Sequence, residues 1–124
     1  MTNQELSALE EIRTLKARYF RYMDQQRWDE WQDLFTDDIH ADFPQDGGVH
    51  HGAVAFRSHV EAGLEGAISI HHGHMAELEI TGPDAARGIW SMEDHIELRD
   101  GAPMRRLWGT GWYTEEYRRC DDGK

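Results

Sequence analysis

Cysteine and long apolar runs are both scarce in this chain, and each scarcity excludes a class of protein. Cys120 is the only cysteine among 124 residues, which excludes an internal disulfide and a cysteine-only metal cluster. No run approaches the roughly 20 apolar residues that span a bilayer, and the N-terminus lacks the basic flank and apolar core of a signal peptide. We therefore expect a cytoplasmic protein that makes no membrane contact.

Positive charge is scarce as well. Lys16 and Lys124 are the only lysines, and the formal net charge is −11 with an isoelectric point near 5.0. Because a protein that follows a phosphate backbone needs a basic face, we expect no nucleic-acid partner. A hydrophobic content of 39%, with five Trp, four Tyr and four Phe, favours a folded core instead. The length predicts one domain over residues 1–124.

The periodic apolar residues predict helices early in the chain and strands late. Spacings of three and four predict a helix from Gln4 to Asp24, and a second, shorter helix begins at Trp28. The remaining predicted elements are, in order, strands over 39–43 and 49–51, a helix over 53–64, strands over 67–81 and 85–99, and a β-rich segment over 104–119.

This order predicts an α+β fold, in which a curved antiparallel sheet forms a cone around the N-terminal helices. Gly109 and Gly111 interrupt the alternation of the last segment and indicate a bulge or a bend. Residues 121–124, Asp-Asp-Gly-Lys, have the composition of a hairpin turn. We therefore expect a final strand that the given sequence does not contain, or a sheet edge that another subunit completes.

Two imidazoles interrupt an apolar row in the first long strand. Unbroken alternation puts one set of side chains on the inner face, namely Ile68, Ile70, His72, His74, Ala76, Leu78 and Ile80. It places His71 on the other face, at the surface. In the next strand, the same reasoning puts Asp94 in the inward apolar row. A buried carboxylate beside a buried imidazole indicates either a structural ion pair or an acid/base site.

The chain resembles the SnoaL-like family of the nuclear-transport-factor-two-like superfamily, which includes scytalone dehydratase, bile-acid 7α-dehydratase and hexachlorocyclohexane dehydrochlorinase. The resemblance rests on the order and spacing of short motifs: 12–24 followed by 28–37, Gly52 before the third helix, the His71-His72 pair, 86–90, and Glu116-Tyr117-Arg118-Arg119 before an Asp-Gly turn. It implies a cone whose open mouth holds a small, usually cyclic, organic molecule such as a polyketide or steroid-like ligand. It also implies chemistry without a cofactor.

The resemblance further implies a set of site residues. Asp24 and His72 match the catalytic Asp–His pair of the lyases in this group, Tyr19 matches a proton-donor position, and Asp94 matches an additional acidic residue. In a lyase or isomerase of this kind, His72 would remove a proton and Asp24 would orient its ring, while Tyr19 would donate to the oxygen or leaving group that gains charge. Four more residues are expected to contact the ligand: His74, Trp90, Met92 and Phe20.

Other interpretations stay open. The same fold serves as a non-catalytic module that binds small molecules or assembles with other subunits. A metal-dependent enzyme is the third interpretation, since His72-Gly73-His74 has His-x-His spacing and either Asp24 or Asp94 could complete the ligand set. The leading prediction contains no metal. Exposed aromatic residues on the sheet predict a homodimer or homotrimer.

Overall fold

The computed structural model describes residues 1–43, 48–98 and 106–119, apart from the side chains at 43, 48, 106 and 107. Within these ranges the elements are α1 (Asn3–Asp24), α2 (Trp28–Gln32), β1 (His40–Phe43), β2 (Gly48–His51), α3 (Ala53–Gly63), β3 (Ile68–Gly82), β4 (Ala85–Glu97) and β5 (Arg106–Arg118). The predicted α+β order is confirmed. The turns predicted at 45–47, 100–103 and 121–124 lie outside the described residues.

Two antiparallel sheets form, one from β1 and β2 and the other from β3, β4 and β5 in that order. The three-stranded sheet curves over α1, and the described strands do not close into a barrel. Its register places His71 opposite Asp94, and Asp94 opposite Gly109. None of the described helices is both long enough and apolar enough to cross a membrane.

Helix α1 begins with a capping box and ends against the start of β3. The side chain of Thr2 accepts from the Glu5 backbone amide, and the Glu5 carboxylate accepts from the Thr2 amide, so two otherwise unpaired donors are satisfied. After the helix, Gln26 adopts a positive φ of 56°. Its side-chain amide donates to the carbonyls of Leu64 and Ala67 at 3.1 and 3.0 Å. These two bonds hold the last turn of α1 beside β3.

An aromatic cluster packs between the helices and forms the centre of the core. Trp31 is fully buried, and its ring lies 4.7 Å from Phe35, 5.1 Å from Phe56 and 5.4 Å from Trp28 between centroids. Aromatic pairs at these distances contribute beyond their buried area. The cluster therefore supplies a rigid support for α1, which carries part of the site.

A β-bulge in β3 reverses which side chains face inward. The register shifts between His74 and Glu77, and Met75 has a positive φ of 49°. The inward residues before the bulge are Ser69, His71 and Gly73, and those after it are Ala76, Leu78 and Ile80. Because the extra residue changes the phase of alternation, the predicted inner face is correct after the bulge and wrong before it.

Candidate active site

The site begins with a carboxylate and an imidazole joined by a short contact. Asp24, the last residue of α1, has its Oδ1 2.6 Å from Nδ1 of His71 in β3. The Asp24 carboxylate also accepts from the His71 backbone amide at 2.9 Å and from the Ser69 hydroxyl at 3.0 Å. Three bonds from one strand therefore fix this carboxylate, and its direction fixes the His71 ring.

Burial strengthens this pair. The His71 side chain is 6% exposed and the Asp24 side chain 20% exposed. The Phe20 ring stacks on the imidazole, with centroids 6.1 Å apart and planes 9° from parallel. Charges and hydrogen bonds interact more strongly when water is excluded, so the contact between Asp24 and His71 is stronger here than it would be in water.

A second carboxylate lies at the other ring nitrogen of His71. The Nε2 atom is 3.7 Å from Oδ2 of Asp94, which comes from the paired position on β4. Oδ1 of Asp94 is buried without a hydrogen-bond partner among the described residues. A buried acceptor without a partner is costly.

Gly109 has no side chain, and the Asp94 carboxylate occupies the space that a side chain there would fill. Replacing Gly109 by alanine is expected to lower the free energy of unfolding by about 1–3 kcal/mol, because the new Cβ would lie 2.6 Å from Oδ1 of Asp94. Urea unfolding followed by tryptophan fluorescence measures the change.

The matched control for this substitution is Gly111→Ala, two residues farther along the same face of β5. No described atom lies within 4 Å of the Cβ that it would add. Any gain from replacing a flexible glycine is common to both variants. Equal stability of the two variants would contradict the contact between Asp94 and Gly109.

The structure corrects the predicted positions of three histidines. His71 faces inward, whereas His72 and His74 lie on the outer, convex face of the sheet and are exposed. Sequence reasoning missed the bulge, but Gly73 carried a signal. A Cβ at Gly73 would meet the Phe20 ring at 2.8 Å and the Trp90 ring at 3.2 Å. Glycine inside a strand indicates such a close approach, and an inward Gly73 places His71 on the same face.

The other predicted site residues divide between the groove wall and the core. Phe20 and Trp90 are buried, and Met92 is half-buried on the concave face of β4. Trp90 Nε1 donates to the Tyr117 hydroxyl at 2.7 Å. Tyr19 packs in the aromatic core rather than beside the Asp24–His71 pair. Its ring lies 5.7 Å from Trp31 between centroids.

A buried lysine near the site was missed from the sequence. Lys16 is 3% exposed, and its Nζ lies 2.5 Å from Oε1 of Glu115 on the concave face of β5. The ammonium also lies 4.3, 4.8 and 4.0 Å from the ring centroids of Tyr19, Phe20 and Tyr113. Burial lowers the pKa of Lys16, while the attraction of Glu115 opposes that shift.

An open groove of about 540 Å³ runs between α1 and β3 beside these groups. Its volume lies within the range of sites that bind small molecules. The lining combines the Asp24–His71 pair with two aromatic rings, from Phe20 and Trp90, and three basic side chains, from Arg13, Lys16 and Arg21. Because β3 is an edge strand, His72 and His74 also line the groove. The groove therefore offers apolar surface, an acid/base pair and positive charge to one ligand.

Residues 4–123 match the family described as the SnoaL-like domain. The chain belongs to this family. The match covers nearly the whole sequence, and it confirms the resemblance inferred from the spacing of short motifs. The SnoaL-like domain is part of the nuclear-transport-factor-two-like superfamily.

Solved structures with the same fold include proteins named for elimination chemistry. A protein from Novosphingobium aromaticivorans assigned as a scytalone dehydratase has a TM-score of 0.87 at 18% identity, over 100% of this chain and 81% of that chain. A hexachlorocyclohexane dehydrochlorinase, LinA type 2, has a TM-score of 0.82 at 21% identity, over 94% of this chain and 78% of that chain. A protein from Catenulispora acidiphila in complex with S-DNPA has a TM-score of 0.77 at 16% identity, over 95% of this chain and 86% of that chain. These likenesses establish the SnoaL-like fold alone.

Proposed function

We propose that this chain is a cofactor-independent lyase or isomerase of dehydratase type, in which His71 removes a proton from carbon. The observation that carries the proposal is the 2.6 Å contact between His71 Nδ1 and Asp24 Oδ1 at the wall of an open groove. The base is therefore His71 rather than the predicted His72, because His72 lies on the opposite face of the sheet.

The tautomer of His71 follows from the chemistry of its partner. An ionised carboxylate only accepts hydrogen bonds, so Nδ1 of His71 carries the proton that Asp24 accepts. The Nε2 lone pair is then free to take a proton from a carbon next to a carbonyl or a leaving group. The imidazolium that results is stabilised by Asp24 on one side and by Asp94, 3.7 Å from Nε2, on the other.

Asp94 has a second proposed role in holding the substrate. Its Oδ1 lacks a partner among the described residues, and a substrate hydroxyl would supply the missing donor. Asp94 thus contributes an acceptor close to the base without taking the proton itself.

The family resemblance, rather than the lining of the groove, makes Tyr19 the proposed donor to the oxygen or leaving group that gains charge. Burial raises the pKa of Tyr19 well above its ordinary value, so the hydroxyl keeps its proton at neutral pH. Its present hydrogen-bond partner is Tyr113, so a substrate oxygen has to compete with that group. A Tyr19→Phe variant that turns over at the wild-type rate would remove this assignment.

The proposed substrate is a small, cyclic organic molecule, of polyketide or steroid-like type. The groove volume of about 540 Å³ accommodates such a ligand, and Phe20 and Trp90 provide aromatic surface for its rings. Arg13 and Arg21 favour a substrate that carries a carbonyl, phenolate or carboxylate oxygen.

The function is tested with 5-nitrobenzisoxazole, whose ring opens to a coloured phenolate when a base removes its proton. Hexachlorocyclohexane and scytalone, suggested by the names of two structural neighbours, extend the panel. We expect the protein to accelerate phenolate release beyond an equal concentration of free imidazole. No acceleration with any of the three compounds would contradict the enzymatic proposal.

The alternative function is a non-catalytic domain that binds a small molecule. One observation favours it: His71 is only 7% exposed, and the Phe20 ring covers one side of the imidazole. The same probe separates the two functions, because a binding domain would hold 5-nitrobenzisoxazole without opening its ring.

We also propose that the chain assembles as a homodimer or homotrimer through the convex face of the sheet. The large apolar side chains exposed there include Ile68 (70%), Ile70 (51%), Ile89 (42%), Trp108 (62%) and Trp112 (77%). An apolar patch of this kind is typical of a surface that a partner covers. Light scattering from the purified protein tests the assembly, and a monomer would contradict it.

A further inference from the structure

Three side chains with metal-binding atoms converge on the convex face of the sheet. His72 and His74 are two residues apart on β3 and therefore point to the same side, and Glu93 is the residue paired with His72 across β4. One nitrogen from each ring and one carboxylate oxygen all lie within 4.8 Å of one another. The bulge in β3 creates this arrangement, because it turns both rings away from the Asp24–His71 pair.

The two oxygens of Glu93 have different surroundings. Oε2 accepts from Trp108 Nε1 at 3.2 Å and lies 3.9 Å from Nε2 of His95. Oε1 lies 4.0 Å from Nε2 of His74. Trp108 therefore holds one oxygen and leaves the other directed at the imidazoles. Orienting contacts of this kind behind a ligand are a regular feature of metal sites.

We propose that His72, His74 and Glu93 bind one divalent transition-metal ion, with Zn²⁺ as the favoured species. Two imidazoles and one carboxylate suit zinc, copper or nickel, whereas magnesium and calcium prefer all-oxygen sites. Three protein ligands leave a fourth tetrahedral position for water or for a donor from another molecule. His72 and His74 also line the groove beside the Asp24–His71 pair, but the proposed metal site uses none of the residues proposed for proton transfer, and its test needs no substrate.

Calorimetric titration of the full chain with ZnCl₂ at pH 7.5 tests the proposal. The variants are His74→Ala and Glu93→Gln, which change half-exposed side chains and leave the core intact. We expect saturable binding of one ion per chain, and at least about tenfold weaker binding in each variant, since even orienting residues contribute 10–100-fold to metal affinity. Visible absorption of bound Co²⁺ reports whether the ion is four-coordinate.

His51→Ala is the matched control. His40 and His51 form another close histidine pair, with their Nδ1 atoms 3.2 Å apart on the β1–β2 hairpin. The control is expected to bind zinc as the wild type does. The proposal is overturned if the wild type shows no saturable binding, or if His51→Ala abolishes binding and the two site variants retain it.

Discussion

Replacing His71 by alanine is expected to slow proton abstraction by about 10²–10⁴-fold, the contribution of one positioned general base. This loss is expected because Nδ1 of His71 lies 2.6 Å from Asp24, which leaves Nε2 to accept the proton. Initial rates of phenolate release from 5-nitrobenzisoxazole measure the loss. His71→Asn gives a second readout, since its amide can still donate to Asp24 but offers no basic nitrogen.

His72→Ala is the matched control for this experiment. It removes the neighbouring imidazole, which lies on the convex face and has no contact with Asp24 among those described. His72 lines the groove without contacting the Asp24–His71 pair among the contacts described, so its loss is expected to change the rate far less than the loss of His71. An inactive His72 variant beside an active His71 variant would restore the base predicted from the sequence and remove the one proposed from the geometry.

Replacing Glu115 by alanine is expected to lower the free energy of unfolding at pH 7 by about 3–5 kcal/mol, the cost of leaving a buried charge without its partner. Lys16 is 3% exposed, and Glu115 is the anion 2.5 Å from its ammonium. The three aromatic rings around Lys16 offset only part of this loss. Urea unfolding of the variant measures it.

Glu116→Ala provides the control on the opposite face of β5. Because Glu116 is exposed, its replacement should change stability by less than about 0.5 kcal/mol. The double variant Glu115→Ala with Lys16→Met removes both charges and should recover much of the loss. A Glu115 variant as stable as the Glu116 variant would contradict the buried ion pair.

The loss in the Glu115 variant also depends on pH in a definite direction. Burial lowers the pKa of Lys16 below its ordinary value of 10.5, and removing Glu115 takes away the attraction that opposes this shift. Between the folded and unfolded pKa values the unfolded chain binds the proton more tightly, so stability rises with pH in that window. The penalty should therefore shrink as the pH approaches 10.5.

The elements were predictable because each has a strong local pattern. The spacing of apolar residues predicted the start of α1 to within one residue, and it predicted the end of the helix at Asp24 correctly. Unbroken alternation placed Asp94 on the concave face of β4, where the structure has it. In these segments local periodicity and tertiary packing agree. A sequence pattern is then sufficient to predict the element and the face on which each residue lies.

The inward histidine was not predictable from alternation alone. A single bulge at Met75 changes the phase of β3, and the pattern on either side of it looks continuous in the sequence. Exposed Ile68 and Ile70 strengthened the wrong interpretation, since apolar side chains usually face the core. Gly73 was the one local indication of the correct face.

The buried lysine illustrates a different limit. Lys16 lies four residues after Ile12 and four before Phe20, on the buried face of α1, so its position was visible in the sequence. Its partner Glu115 is far away in the chain, and only the fold of β5 over α1 brings the two together. Long-range pairing of this kind cannot be derived from local spacing.

The state of the His71 ring is the most direct test of the account, and it needs no substrate. Nitrogen-15 NMR of the imidazoles, recorded at a pH where the ring is neutral, identifies which nitrogen carries the proton. The account predicts a proton on Nδ1 of His71, donated to Asp24, with Nε2 bare. A neutral ring with its proton on Nε2 would contradict it, because the nitrogen that does not contact Asp24 would then have no lone pair to accept a proton.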